Sequence, residues 1–379
     1  STLAVPAMKY AFIGLCVLYL AAASKPNILY IVVDDLRPQI TAYDINAPMY
    51  TPNLDQFAKK SLVFNRAYCQ QAVCSPSRNS FMTGRRPDTT KVWNFLTDFR
   101  KTNKDWVAFP QYFKEHGYET TGMGKLYHPG HPPKDDEPYS WSQDYPYFEP
   151  NGQVGGCANV PEKGVHNISC YCEGVSCVDQ QLADLAVKRI DEMLEQPKPW
   201  FVGVGFHRPH VDWEAPKSSY DMYPNVSAIP IALNKLAPKG MPPMAFYSWV
   251  LQTSKLRSTF SYFGSPQILP DKPLPDALVR NLRRGYFASV HYIDQRIGEV
   301  LKKLNDSSAA NNTIVIFHGD HGWQLGEHGG IFGKQTNFET GVRVPLMIHV
   351  PWIQQSHGVK TQALVELVDV YQTVAELAG

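Results

Sequence analysis

A cysteine and an arginine lie four residues apart in the segment Cys74-Ser75-Pro76-Ser77-Arg78. Proline is well tolerated in the first turn of a helix, so the segment predicts a helix that begins near Cys74. Residues four apart lie on the same helix face, which places Arg78 one turn beyond Cys74. Because the N-terminus of a helix favours an anion, the segment predicts a nucleophile in an anion-binding site. A buried structural cysteine is the alternative interpretation.

Further polar groups come directly after apolar runs, which is where α/β proteins place their sites. These groups are Asp34 and Asp35, then His207, then Asp320 and His321. Three carboxylates in one pocket would repel each other unless a cation lies among them. Carboxylate oxygens favour Ca²⁺ or Mg²⁺, whereas a zinc site would recruit more histidine and cysteine. One aspartate pair alone could equally cap the next segment, but several such clusters favour a metal site.

The apolar runs are rich in β-branched residues and predict strands buried on both faces, as in a parallel sheet. They occupy residues 27–33, 200–206, 313–317 and 344–350. Helical periodicity is found at residues 52–60, 181–194, 278–304 and 365–378. Strands that alternate with helices predict an α/β sandwich around a mostly parallel sheet. Two segments rich in proline, glycine and aromatic residues, 129–180 and 208–276, are predicted to be long loops that shape a pocket.

The chain has 379 residues, is 44% hydrophobic and carries a formal net charge of +1. This balance gives no indication of a nucleic-acid partner. An apolar run from Tyr10 to Ala23 follows Lys9 and ends in small residues. It is too short to span a bilayer comfortably and is typical of a secretory signal peptide, with a buried first helix as the alternative. We therefore assign residues 1–24 to upstream residues and a signal peptide, residues 25–379 to the folded domain, and expect no membrane insertion.

Secretion would allow disulfides to form. A glycine-rich stretch contains Cys157, Cys170, Cys172 and Cys177, which are predicted to close a surface loop. Four cysteines allow three pairings, and the sequence does not select one. Asn-x-Ser/Thr acceptors at Asn167, Asn225, Asn305 and Asn311 fit a glycoprotein.

The motif Cys74-x-Pro76-x-Arg78, followed by Ser80-x-x-Thr83-Gly84-Arg85, closely resembles the signature of the sulfatase family. Other motifs occur in the order of that family between residues 27 and 379. They are Asp34-Asp35, Gly124-Lys125-x-x-His128, His207, Asp320-His321-Gly322 and Gly326-Glu327-His328-Gly329. The resemblance implies an alkaline-phosphatase-like fold and a sulfuric ester hydrolase. It also implies that a formylglycine-generating enzyme converts Cys74 to Cα-formylglycine during maturation.

The resemblance further implies a role for each matching residue. Hydrated formylglycine at position 74 would attack sulfur, and its second hydroxyl would later expel sulfate. One Ca²⁺ would bind Asp34, Asp35, Asp320 and residue 74, with His321 contacting the metal or lining its site. Arg78 would hold the formylglycine oxygens, and Lys125 and Lys334 would neutralise the charge of the sulfate. His128 would act as the base when sulfate is expelled, and His207 would donate a proton to the leaving oxygen.

Several stretches resemble those sulfatases that act on iduronate 2-sulfate, and they imply the 2-O-sulfate of iduronate in heparan and dermatan sulfate as substrate. These stretches are 33–38, 70–74, 83–90, 128–130 and 286–290. Such a substrate also carries a carboxylate, which a bidentate arginine would bind best. The candidate arginines are Arg37, Arg86, Arg208 and Arg343, with residues 85–105 and 129–150 at the pocket rim.

Three alternatives remain at this point: another carbohydrate sulfatase, a secreted non-catalytic homologue, and a phosphoryl-transfer hydrolase on the same fold. The resemblance implies a lysosomal location, with an extracellular one as the alternative. Sulfatases of this type also carry a smaller C-terminal subdomain, which this chain is expected to lack.

Overall fold

The computed structural model describes residues 25–44, 46–150, 168–174, 177–246 and 271–379. The predicted signal peptide, Cys157 and Asn167 lie outside these residues. In the described part, the strands are β1 Asn27–Val33, β2 Leu62–Tyr68, β3 Glu119–Gly124, β4 Ser169–Tyr171, β5 Trp200–Phe206, β6 Trp213–Ala215, β7 Thr313–Gly319, β8 Gln324–Gly326, β9 Ile331–Gly333, β10 Arg343–Val344, β11 Leu346–His349 and β12 Lys360–Glu366. The helices are α1 Pro52–Ala58, α2 Cys74–Thr83, α3 Pro87–Thr90, α4 Phe99–Thr102, α5 Phe109–Glu115, α6 Val178–Leu194, α7 Lys217–Asp221, α8 Asp276–Asn305, α9 Glu327–Gly330, α10 Glu339–Val342 and α11 Val370–Ala378.

One large sheet organises the domain. Its strand order is β10-β2-β11-β7-β1-β5-β3, and β12 pairs with β2. The neighbours β7, β1, β5 and β3 are all parallel to one another, whereas β11 runs antiparallel to β7 and β2. The predicted α/β sandwich with a mostly parallel sheet is therefore confirmed.

The sheet is covered on both faces. Alternate residues of β1 face two different cores: Leu29, Ile31 and Val33 one, and Ile28, Tyr30 and Val32 the other. Helices α1, α6 and α8 pack on the first core, and α2, α5 and α11 on the second. Because helices cover both faces of the sheet, every residue of a central strand is buried, and the strand sequence is a continuous apolar run.

The predicted central strands occur as expected, but three other strands of the sheet were not predicted. Strand β3, with the sequence ETTGMG, is fully buried yet contains two glycines and two threonines, so it lacks an apolar run. Strand β12 is largely exposed. The prediction of a helix from residue 365 was wrong at its start, because residues 360–366 pair with β2 and the helix begins at Val370.

Helix α1 begins without a capping side chain of its own. Instead Asp294, from α8, accepts hydrogen bonds from Asn53 N at 3.1 Å and Leu54 N at 2.8 Å. A carboxylate that receives these otherwise unpaired N–H groups acts as a tertiary cap.

Cys172 and Cys177 form a disulfide, and Cys170 is also disulfide-bonded. Cys69 and Cys74 remain buried free thiols. None of the helices in the described ranges is both long and apolar enough to cross a membrane.

Candidate active site

The carboxyl ends of four adjacent parallel strands meet at one edge of the sheet. The strand ladder continues beyond these ends, since Asp34 N donates to Phe206 O at 3.3 Å and Asp320 N donates to Val33 O at 3.0 Å. Lys125 N likewise donates to Gly205 O at 2.7 Å. The backbone therefore fixes the residues that follow β1, β7 and β3 next to each other. The sequence predicted this proximity for the residues after β1 and β7 but did not predict β3, which brings Lys125.

Glycine is required where β3 and β5 end. A Cβ atom at Gly205 would lie 2.2 Å from the Lys125 carbonyl carbon, and one at Gly124 would lie 2.2 Å from Gly205 O. The two backbones approach too closely for any larger residue. This close contact brings Lys125 into the site.

Asp35 lies in the left-handed region, with φ 57°. Such a conformation is uncommon for a non-glycine residue and marks a position that its surroundings hold in place. Here the Tyr286 hydroxyl donates to Asp35 O at 2.7 Å, and Asp35 N donates to Asp320 Oδ1 at 3.1 Å. The turn brings two consecutive carboxylates, those of Asp34 and Asp35, into one buried cleft.

Cys74 is the first residue of α2 and is only 1% exposed. Its Sγ lies 2.9 Å from Lys334 Nζ, 3.3 Å from His321 Nε2 and 3.5 Å from Asp34 Oδ1. Lys125 Nζ is 3.8 Å away. Residue 74 is therefore at the centre of a ring of charged groups drawn from four separate segments.

Arg78 is completely buried one turn along α2. Its Nε and Nη2 atoms lie 3.1 and 3.0 Å from Asp320 Oδ2, and its Nη1 donates to the carbonyls of Lys125 and Leu126. Asp34 Oδ2 lies 3.7 Å from Nη2. The arginine thus joins the segments that follow β1, β3 and β7.

Three carboxylates lie beside three basic side chains in this cleft. Lys125 pairs with Asp34, and Lys334 Nζ lies 2.7 Å from Asp35 Oδ1. Burial raises the pKa of Asp34, but Lys125 and Lys334 together hold it well below its usual range. Burial raises the pKa of Asp35 to about 8 and that of Asp320 to about 6, with a further increase in each from the Asp34 charge. The internal cations therefore do not fully compensate the three carboxylates.

The Cys74 thiol is strongly acidified. Burial and the Asp34 carboxylate raise its pKa, but Lys125, Lys334 and His321 outweigh them and hold it well below its ordinary value. Because the site stabilises a negative charge on residue 74, it favours a nucleophile that attacks as an ionised oxygen or sulfur atom.

The His128 ring lies beside Cys74. Its Nδ1 lies 3.1 Å from Pro129 O. A carbonyl can only accept, so Nδ1 carries the proton and Nε2 is the basic nitrogen. Burial lowers the pKa of His128.

The structure brings His210, rather than His207, to residue 74. The His210 ring lies beside Cys74 with its Nδ1 donating to Val211 O at 2.5 Å, and burial followed by the Lys125 charge lowers its pKa to about 4. The His207 ring instead lies with Nε2 3.1 Å from Glu149 Oε1 and makes no contact to Cys74 among the described interactions. The sequence pattern favoured His207, the first histidine after β5, but the turn at residues 207–210 places His210 in the cleft.

The four arginines considered for a substrate carboxylate all have internal partners. They are Arg37, which contacts Glu327 at 2.9 Å; Arg86, which pairs with Glu366; Arg208, which contacts Glu214 at 2.5 Å; and Arg343, whose Nε donates to Asn65 O at 2.8 Å. Arg37 and Arg208 are largely buried in these ion pairs. The arrangement gives no support to either of these two as a ready carboxylate receptor.

The donor set can accommodate a cation. Ligand atoms of Asp34, Cys74, Asp320 and His321 all lie within 4.8 Å of one another. Asp35 Oδ2 is buried and has no hydrogen-bond partner among the described residues. An unpaired buried carboxylate oxygen beside such a group is what a metal ion would satisfy.

A family model described as Sulfatase matches residues 26–379. The chain belongs to the sulfatase family. The sulfatase is 36% identical to iduronate 2-sulfatase of Mus musculus over 395 residues, covering 95% of this chain and 70% of the mouse protein. Together these matches confirm the predicted family and establish a sulfuric ester hydrolase.

The sulfatase is also similar to solved structures. The phosphonate monoester hydrolase of Agrobacterium radiobacter matches with a TM-score of 0.72 and 19% identity, covering 93% of this chain and 74% of that one. A protein solved in complex with its substrate D-glucosamine-2-N,6-O-disulfate matches with a TM-score of 0.68 and 22% identity, covering 94% and 77%. At these identities the likeness shows the fold alone, which is the alkaline-phosphatase-like fold predicted from the motifs.

Proposed function

We propose that this sulfatase removes the 2-O-sulfate of iduronate in heparan and dermatan sulfate, using formylglycine at position 74 and one calcium ion. The observation that carries the catalytic part is the cleft around Cys74, where three carboxylates, three cations and three histidines converge. The substrate part is supported by 36% identity to a protein named iduronate 2-sulfatase.

In this proposal, an ionised hydroxyl oxygen of hydrated residue 74 bonds to sulfur. The S–O bond to the sugar breaks, and its electron pair stays on the sugar oxygen. His210 Nδ1 donates to Val211 O, so Nε2 carries a proton only in the imidazolium form of the ring. That form gives its Nε2 proton to the sugar oxygen, so His210 takes the role that the sequence suggested for His207. His128 Nε2 then accepts the proton of the second hydroxyl as sulfate departs and the aldehyde forms again.

Lys125 and Lys334 stabilise the negative charge of the transferring sulfate, because their Nζ atoms lie 3.8 and 2.9 Å from Cys74 Sγ. Arg78 forms an ion pair with Asp320 and thereby holds α2 against the segment that follows β7. These cations are prepositioned in a site that excludes water, where they act more strongly than in solution.

The metal ligands in this proposal are Asp34, Asp35, Asp320 and residue 74, with His321 beside them. A thiol together with an imidazole would favour zinc, but conversion of Cys74 to formylglycine replaces sulfur with oxygen. The set then consists mainly of carboxylate and hydroxyl oxygens, which suit calcium. When bound, the ion would polarise a sulfate oxygen.

Removing the metal should inactivate the sulfatase. We expect dialysis against a chelator to lower kcat/KM by roughly 100-fold or more, because a Lewis acid contributes several kcal/mol to such a reaction. Ca²⁺ should restore the rate, and metal analysis of the active protein should give one calcium per chain. Asp35→Asn should lose the metal. Asp136→Asn, at a buried carboxylate that pairs with Arg100, serves as the matched control and should retain it. Two zinc ions per active chain would contradict the assignment.

The substrate assignment is tested by comparing three sulfate esters: 2-sulfo-iduronate, 6-sulfo-glucosamine and an aryl sulfate. We expect the highest kcat/KM for the uronate. A preference for another ester would overturn the substrate while the sulfatase activity stands. A carboxyl-reduced uronate with unchanged kcat/KM would exclude recognition of the carboxylate.

A secretory location belongs to the same proposal, with the lysosome preferred to the extracellular space. It is supported by the disulfides at Cys170, Cys172 and Cys177, since such bonds persist in oxidising compartments. Formylglycine-generating enzyme would be the maturation partner and a sulfated glycosaminoglycan the substrate.

A further inference from the structure

One buried carboxylate outside the cleft holds the turn that carries His210. Asp179, in the first turn of α6, is 1% exposed. Its Oδ1 accepts from His207 N at 2.6 Å, and its Oδ2 accepts from Arg208 N at 3.1 Å. Because each oxygen receives one of two consecutive N–H groups, the carboxylate fixes the direction in which the chain leaves β5.

The turn at residues 207–210 is also held by contacts of the Arg208 side chain. Arg208 Nη2 lies 2.5 Å from Glu214 Oε2, and Arg208 Nη1 donates to His210 O at 3.3 Å. His210 N donates to His207 O at 3.0 Å. The backbone of His210 is therefore tied to Arg208, whose own N–H is tied to Asp179.

Asp179 is itself anchored. The residue that caps α6, Cys177, forms a disulfide with Cys172, and Cys172 N donates to Ala215 O at 3.2 Å. Helix α6 packs on α8 and β5. The carboxylate is thus attached to a rigid element, as a group that positions a catalytic side chain must be.

We propose that Asp179 is a positioning residue that directs His210 toward the sugar oxygen of the leaving alcohol. The inference rests on the proposed function, in which the S–O bond breaks and the imidazolium form of His210 gives its Nε2 proton to that oxygen. Asp179 touches neither substrate nor residue 74. It acts by fixing the turn from which His210 extends.

The diagnostic measurement is the dependence of the rate on the leaving group. A sugar alkoxide needs a proton as it leaves, whereas the oxide of p-nitrophenol does not. Asp179→Asn keeps the side-chain size but turns an amide N–H₂ toward a backbone N–H, so one of the two hydrogen bonds must break. General acid catalysis contributes about 10²- to 10⁴-fold. We therefore expect Asp179→Asn to lower kcat/KM by about 100-fold on 2-sulfo-iduronate and by less than about 5-fold on p-nitrophenyl sulfate.

A double-mutant cycle separates positioning from a general loss of structure. If Asp179 acts through His210, then Asp179→Asn should add less than about 3-fold to the loss already caused by His210→Ala on 2-sulfo-iduronate. Asp184→Asn is the matched control, since Asp184 lies on the same helix but is exposed and bonded only locally to Gln180. It should leave both rates unchanged.

Equal losses on the two substrates, or full additivity with His210→Ala, would overturn the positioning role. A wild-type protein that hydrolyses neither ester would instead overturn the proposed function, so the two failures are distinct. If Asp179→Asn does not fold, Glu214→Gln can be used instead, because it removes the ion pair that holds Arg208 in the same turn. This variant should also lose more kcat/KM on 2-sulfo-iduronate than on p-nitrophenyl sulfate.

Discussion

Cys74→Ala is expected to abolish hydrolysis of sulfate esters while the protein still folds. The residue supplies the reacting atom, so its loss should reduce kcat by at least about 10⁴-fold, which corresponds to roughly 5.5 kcal/mol of barrier. The thiol makes polar contacts to Lys334 and His321 and is not part of a large apolar contact surface. The thermal midpoint should therefore change little. The measurement is sulfate release from 2-sulfo-iduronate, with thermal unfolding recorded on the same preparation.

The matched control is Cys69→Ala, five residues earlier in the chain. Cys69 is also a buried free thiol, but burial raises its pKa far above the ordinary value, so it is an inert group. Activity of this variant should equal that of the wild type. Activity of Cys74→Ala within about tenfold of wild type would remove residue 74 from the chemistry. Mass spectrometry of the wild-type peptide distinguishes formylglycine from an unmodified thiol.

Arg78→Met should lower the free energy of unfolding by about 3–5 kcal/mol and eliminate activity as well. The substitution removes a fully buried charge and leaves Asp320, Asp34 and two carbonyl groups without their donor. Breaking one side of a buried ion pair is costly because the remaining charge stays out of water. Denaturant unfolding followed by fluorescence would measure the change.

Arg86→Met provides the comparison. Arg86 also pairs with a carboxylate, that of Glu366, but its side chain is 56% exposed. An exposed ion pair contributes about 1 kcal/mol or less, so this variant should unfold close to the wild-type midpoint and retain activity. Similar midpoints for the two arginine variants would show that the Arg78 network does not stabilise the fold.

The sequence was sufficient for the features that depend on local pattern. The buried strands β1, β5 and β7 have continuous apolar runs, and the helix at Cys74 has its proline in the first turn. The aspartates after β1 and β7 were expected to converge, and they do, whereas His207 after β5 lies beside Glu149. Strands β3 and β12 were missed because one contains glycine where two backbones touch and the other is an exposed edge.

Features that depend on distant partners could not be predicted. Asp294 caps α1 from 240 residues away, and Asp179 holds a turn about 30 residues later in the chain. The choice between His207 and His210 depends on that turn, so the spacing of the two histidines alone did not decide it. The internal partners of Arg37, Arg86 and Arg343 are likewise residues from other segments.

The burial of residue 74 also has a consequence for timing. Its Sγ is covered in part by Lys334, which lies 260 residues further along the chain. At a synthesis rate of about 5–20 residues per second, roughly 13–50 s pass between the emergence of the two residues. A catalyst that must reach the sulfur has that interval, plus the time the chain takes to fold, before the cleft closes. Under the formylglycine proposal, the yield of active molecules would therefore be set by a race between modification and folding. Slower synthesis or slower folding would raise the active fraction, with no change in the structure finally reached.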